Sequence, residues 1–147
     1  MVRVDKSYAH AYYLWMPTIR SVTRSISIQA PPEAVLDLVG DATALPRWAP
    51  GFAQSVARDG EHWLVNGSAR VAVNVSRERG TVDIVSADQP RRGVFTRVLA
   101  NGDGSEYLFT QFFPDSVSDA DVQRQVAVVE GELEQVRQLT EGAHSMN

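Results

Sequence analysis

At 147 residues, 44% hydrophobic and 22% charged, the chain is sized for one domain around a single core. It has no cysteine, which excludes a disulfide framework, a thiol nucleophile and a cysteine metal site. The net charge of −4 comes without a basic stripe, which argues against nucleic acid as a partner, and no apolar run approaches the ~20 residues of a membrane span.

Residues 1–20 contain the aromatic run SYAHAYYLWMP, have no clear period and are expected to form a flexible extension. The stretch AHAYYLWM is too short and too aromatic for a signal-peptide core, so a cytoplasmic location is expected. From Ser21 the pattern alternates, with Val22, Ile26 and Ile28 on one face of a strand. Pro31 and Pro32 end that strand, because proline cannot donate to a ladder, and Pro32 suits the first turn of a helix. Val35, Leu36, Leu38 and Val39 give that helix an apolar face, and Gly40 closes it. Asp41 is placed to cap a second short turn through Leu45, which Pro46 is expected to stop.

Short alternating runs follow, separated by turn residues such as Asp59-Gly60 and Asn66-Gly67. Such pairs supply the positive φ that tight hairpins need, so an antiparallel meander of about six further strands is predicted. The final element is a helix over roughly 118–141, with Val122, Val126, Val129, Leu133 and Val136 on one stripe. Ser118 resembles its N-cap, Gly142 its terminator, and residues 143–147 a flexible tail. The sheet must bury its apolar face, and the long helix is the only element able to cover it. The predicted fold is therefore α+β, a twisted antiparallel sheet of about seven strands gripping the C-terminal helix. Two short helices plug one end.

Four stretches carry a resemblance: SISIQAPPEAVLDLVGDATALPRWAPGF, GTVDIV, RVLANGDGSEYLFTQFF and VEGELEQVRQLTEG. In this order, across residues 21–142, the chain resembles the START-like or SRPBCC superfamily. Within it, the chain is most similar to the small bacterial proteins of polyketide cyclase/dehydrase type. The resemblance implies the helix-grip fold and an apolar cavity between sheet and helix, with LPRWAP near its mouth. It does not select an activity, since the superfamily spans lipid and sterol carriers, hormone receptors and aromatase/cyclases.

Residues expected to line that cavity follow from strand parity, which a one-residue slip would invert. The most apolar inner face takes Trp63, Val65, Val71, Val73, Val75, Val82, Ile84, Phe95 and Leu99, with Tyr107, Phe109, Gln111 and Phe113 on the last strand. The helix contributes Val129 and Leu133. This parity puts Arg97 inside, between Phe95 and Leu99, where it would anchor a carboxylate, phenolate or enolate of the ligand. The more ordinary state of a strand arginine is a structural ion pair or a place at the rim in water. A two-residue loop after strand TVDIVS sets Val82 opposite Arg97 and turns Asp83 to solvent, whereas a three-residue loop sets Asp83 opposite Arg97. The apolar pattern favours the former. Trp48 and Trp63 are candidates for a ligand-stacking wall, although core filling is the commoner role of a tryptophan. Tyr107 and Gln111 would orient the ligand.

His62 falls on the outer parity, and no paired-histidine spacing supports a zinc site. NGDGS lies in a hairpin rather than between strand and helix, so no dinucleotide loop is present and no cofactor is expected. The expected function is binding of a hydrophobic or aromatic small molecule, lipid- or polyketide-like, with a homodimer left open. A polyketide aromatase/cyclase or dehydratase is the alternative. It lacks an obvious inner-face carboxylate or histidine in this reading. A non-enzymatic interaction protein is the third.

Overall fold

The computed structural model describes residues 17–145. The expected extension lies outside the described residues for 1–16, as do 146 and 147 of the tail. Seven strands form one antiparallel sheet: β1 (Arg20–Ile28), β2 (Val56–Asp59), β3 (His62–Val65), β4 (Ala69–Ser76), β5 (Thr81–Ser86), β6 (Gly93–Asn101) and β7 (Gly104–Phe113). Their order is β1-β7-β6-β5-β4-β3-β2, so the meander runs hairpin by hairpin and the first strand docks on the last. Helix α1 (Pro32–Val39), a 3₁₀ turn (Ala42–Ala44) and α2 (Leu45–Trp48) follow β1, and α3 (Asp119–Ser145) ends the fold.

The double proline does what its chemistry dictates. Pro31 is extended and precedes α1, Pro32 occupies the first helical turn, and Gly40 donates back to the Leu36 carbonyl. The exit from β1 is pinned from the neighbouring strand: the buried Ser105 hydroxyl on β7 donates to the Ala30 carbonyl at 2.7 Å. Asp41 caps the 3₁₀ turn by accepting from the Thr43 amide at 2.9 Å. Pro46 does not stop the next turn. It sits in the first turn of α2, where its missing N–H costs nothing, and the helical turn continues to Trp48.

Helix α3 lies across the concave face of the sheet over β1 and meets α1 and α2. Ser118 caps it through a bond from the Asp121 amide to its hydroxyl at 3.1 Å. The helix runs on to Ser145, so Gly142 lies inside it rather than ending it. Arg24 of β1 reaches Glu130 of the helix at 3.2 Å, and the Gln29 amide donates to Glu141 at 3.0 Å. These contacts are exposed and hold register more than stability. The core itself is apolar: Ile28, Val35, Val39, Leu45, Trp48, Val82, Tyr107 and Val136 are among its fully enclosed side chains.

One turn is set by a close approach. Gly80, between β4 and β5, has φ +70° and is buried against the Val98 carbonyl, which a Cβ would strike. Gly80→Ala is expected to cost about 2–3 kcal/mol, measured as a lowered denaturant midpoint with unchanged slope.

Candidate ligand-binding site

The inner face of the sheet is read from its register. Val82 pairs with Thr96 and Ile84 with Val94, while Thr96 pairs with Phe109, Val98 with Tyr107 and Val94 with Gln111. Thr96 and Val98 are buried, and Arg97 and Leu99 are exposed. The inner face of β6 is thus Val94, Thr96 and Val98, and the expected inward set Phe95, Arg97 and Leu99 lies on the convex face. The physical reason is charge: an inward Arg97 would have needed a buried partner, whereas Thr96 satisfies itself by donating to the Val82 carbonyl at 2.6 Å. Arg97 faces Thr81 and Asp83 faces Phe95, so neither loop length considered from sequence describes the pairing. Phe95 instead packs edge-to-face on Phe112 across the convex surface, with ring centroids 5.9 Å apart.

The remaining expected residues divide by depth. Tyr107, Phe109, Val129 and Leu133 are buried in one core, with Val73 packed against it. Trp48, expected at an open mouth, is 1% exposed and belongs to that same core. Trp63 is half-buried near the edge of the concave side, with the Arg58 guanidinium 4.9 Å above its ring. Gln111 is half-buried and accepts from Gln125 of α3 at 3.3 Å. His62 is half-buried and lies 3.2 Å from the Arg70 guanidinium. Trp48, Tyr107, Phe109, Val129 and Leu133 pack against one another in the space between sheet and helix. Two clefts open instead on the surface. One, of about 450 Å³, lies between α1 and the β4–β5 turn, lined by Pro32, Leu36, Arg79, Val98 and others. The other, of about 400 Å³, lies at the end of α3 beside Gln29. Of the residues expected to line the cavity, Leu99 alone borders one of them, the cleft beside α1.

What stands out in the core is polar. Tyr107 is completely enclosed, and its hydroxyl has no hydrogen-bond partner among the described residues; nor do Trp48 Nε1 and Thr140 Oγ1. Thr96 stands beside the phenol, outside good hydrogen-bond geometry with it, and its hydroxyl donates to the Val82 carbonyl. Glu132 on α3 is only 8% exposed, although its helix neighbours Val129, Leu133 and Val136 are apolar. Burial pushes its carboxyl up to about 7. Burial raises the Tyr107 phenol too, and the nearby Glu132 charge adds to that rise. Buried polar groups are normally paired, so this phenol is an exception within an apolar core. Sequence reasoning missed Glu132, yet the signal was present. It follows Val129 by three and precedes Val136 by four, which places a carboxylate on the apolar stripe.

An antiparallel sheet gripping a long C-terminal helix, with short helices after the first strand, is the helix-grip fold of the START-like superfamily. Residues 20–113 match the family model described as polyketide cyclase / dehydrase and lipid transport, and the chain belongs to that family. Among solved structures, XoxI from Bacillus cereus is similar at 18% identity, with a TM-score of 0.64 over 83% of this chain and 96% of that one. The Aha1 dimer from Colwellia psychrerythraea is similar at 14% identity, with a TM-score of 0.63 over 84% and 97%. Ara h 8.0201 is similar at 14% identity, with a TM-score of 0.56 over 83% and 97%. At these identities the likeness is one of fold. No curated protein matches the chain. Among the described residues no helix is long and apolar enough to cross a membrane, and no cluster of three metal-ligating side chains occurs.

The buried carboxyl makes stability depend on pH. Its folded-state value, about 7, lies above the ordinary 4.5, so the folded protein holds this proton more tightly than the unfolded chain does. Stability is therefore greatest below about pH 4.5 as far as this group is concerned, and falls between 4.5 and 7 by about 3 kcal/mol. Glu132→Gln is expected to remove that decline in denaturation curves recorded across the range. Arg97→Ala, on the exposed convex face, is expected to change stability by less than about 0.5 kcal/mol.

Proposed function

We propose that the protein binds a hydrophobic small molecule, lipid- or polyketide-like, between the concave face of the sheet and α3. The observation that carries this reading is the enclosed Tyr107 hydroxyl, a donor left unpaired in an apolar interior. A guest of suitable size would fill that need, and the family to which the chain belongs supports such a role. Pockets of this kind use a mostly apolar lining and a few polar groups for orientation. Here the lining would come from Trp48, Val73, Phe109, Val129 and Leu133. Trp63 and Gln111 would sit toward its half-open side. A guest must displace core side chains on entry, so binding and opening of the core are coupled and the apparent affinity is reduced by the rarity of the open state. Arg97 takes no part.

A second reading is polyketide cyclase or dehydratase chemistry, and Glu132 is the observation that favours it. A carboxyl poised near 7 is matched to proton transfer at neutral pH, and the neighbouring phenol would donate to a developing enolate. On this reading Glu132 would be the acid–base residue and Tyr107 the oxyanion donor.

Native mass spectrometry of the freshly purified protein, followed by denaturing extraction, tests the binding reading. A retained apolar or aromatic molecule is expected, and Leu133→Trp, which fills the interior, is expected to lose it while keeping its circular dichroism spectrum. A protein that carries nothing and fails to bind an apolar fluorescent probe would overturn the reading. For the enzymatic reading, Glu132→Gln is expected to hold the extracted molecule yet fail to convert it.

A further inference from the structure

The polarity of the interior goes beyond the presence of a guest and bears on its charge. The ionisable side chains enclosed between sheet and helix are an acid and a phenol, Glu132 and Tyr107. The arginines whose register sets them on the concave side stand at its rim and are engaged. Arg20 pairs with Asp119, Arg24 with Glu130, and Arg58 stacks on Trp63. On α3, Arg137 is bound by Glu134 and Glu141. Arg97, which sequence parity offered as an anion anchor, faces solvent on the other side of the sheet. A carboxylate carried into this interior would lose its hydration, find no buried cation among the described residues, and meet the charge of Glu132. A neutral carbonyl would meet a phenol whose proton has no well-aligned acceptor among the described residues.

We infer that the site selects a neutral hydrophobic molecule bearing a carbonyl oxygen and rejects lipid carboxylates, with the Tyr107 hydroxyl donating to the carbonyl and Glu132 excluding the anion. The inference rests on the binding reading above and adds a specificity to it. A ketone or ester would be held with one directed hydrogen bond, whereas a free fatty acid would be excluded even though its chain is apolar enough to bind. The two residues work from opposite walls: Tyr107 from β7, between Ile26 and Val98, and Glu132 from the inner stripe of α3.

Three probes sharing one ring separate these effects: propionyl-dimethylaminonaphthalene, its propyl counterpart without the carbonyl, and dimethylaminonaphthoate. Affinities are measured by fluorescence titration at pH 8 on wild type, Tyr107→Phe and Glu132→Gln. Both substitutions nearly preserve shape, the first removing the unpaired hydroxyl and the second the charge, and folding is checked by circular dichroism. Tyr107→Phe is expected to weaken the ketone by about tenfold and leave the propyl probe unchanged. Glu132→Gln is expected to strengthen the naphthoate by about tenfold and leave the propyl probe unchanged. The ketone's emission also reports hydrogen bonding at its carbonyl, so it should lie further to the red in wild type than in Tyr107→Phe. If wild type holds the naphthoate as tightly as the ketone, or if the substitutions shift all three probes alike, the selectivity is wrong and the binding reading survives. If none of the three is held, the binding reading falls and takes the selectivity with it.

Discussion

The packing of α3 against the concave sheet is the constraint on which everything else depends. A seven-stranded antiparallel sheet with an apolar face cannot stand alone in water, and one helix with the stripe Val122, Val129, Leu133 and Val136 covers it. That single requirement explains the twist of the meander, the docking of β1 beside β7, and the position of α1 and α2 at the end of the grip. It also explains why Glu132 matters. A carboxylate on the covering stripe can go nowhere but inside.

The interior is consequently a packed core with a local polar fault. Trp48, Tyr107, Phe109 and Leu133 fill it, and the fault is the unpaired phenol of Tyr107, with the Glu132 side chain buried on the covering helix. Free energy is lost there that a leucine and a phenylalanine at the same positions would not lose. Natural sequences tolerate such faults where function needs them. The fold and the family agree with small-molecule binding, and the proposed selectivity follows from this fault: a phenol that would donate to a guest and an acid that would disfavour an anion.

The convex face is where register overruled appearance. On β6 the larger residues Phe95 and Leu99 share a parity with Arg97, while Val94, Thr96 and Val98 share the other. By size alone the first set reads as core. The structure takes the second, because burying Arg97 would cost more than exposing two apolar side chains, one of which finds Phe112. Trp48 shows the opposite correction: a residue placed by sequence at a loop lip is core, because Pro46 starts a helical turn that swings the indole inward.

Local chemistry was enough to read the elements. Proline pairs, Asp-Gly and Asn-Gly turns, alternating strands and the period of the last helix act within a few residues, so the order of strands and helices, the grip architecture and the family resemblance were legible along the chain. Facing was not. Parity within a strand leaves two choices, and only the hydrogen-bonded register of all seven strands, closed by β1 on β7, decides between them. The charge of the interior was likewise undecided by the chain alone. Glu132 could be seen on the apolar stripe, but that the Tyr107 hydroxyl is enclosed without a partner, and that Arg97 lies outside, are properties of pairing across sheet and helix. Residues far apart in sequence set them, through contacts that no local pattern encodes.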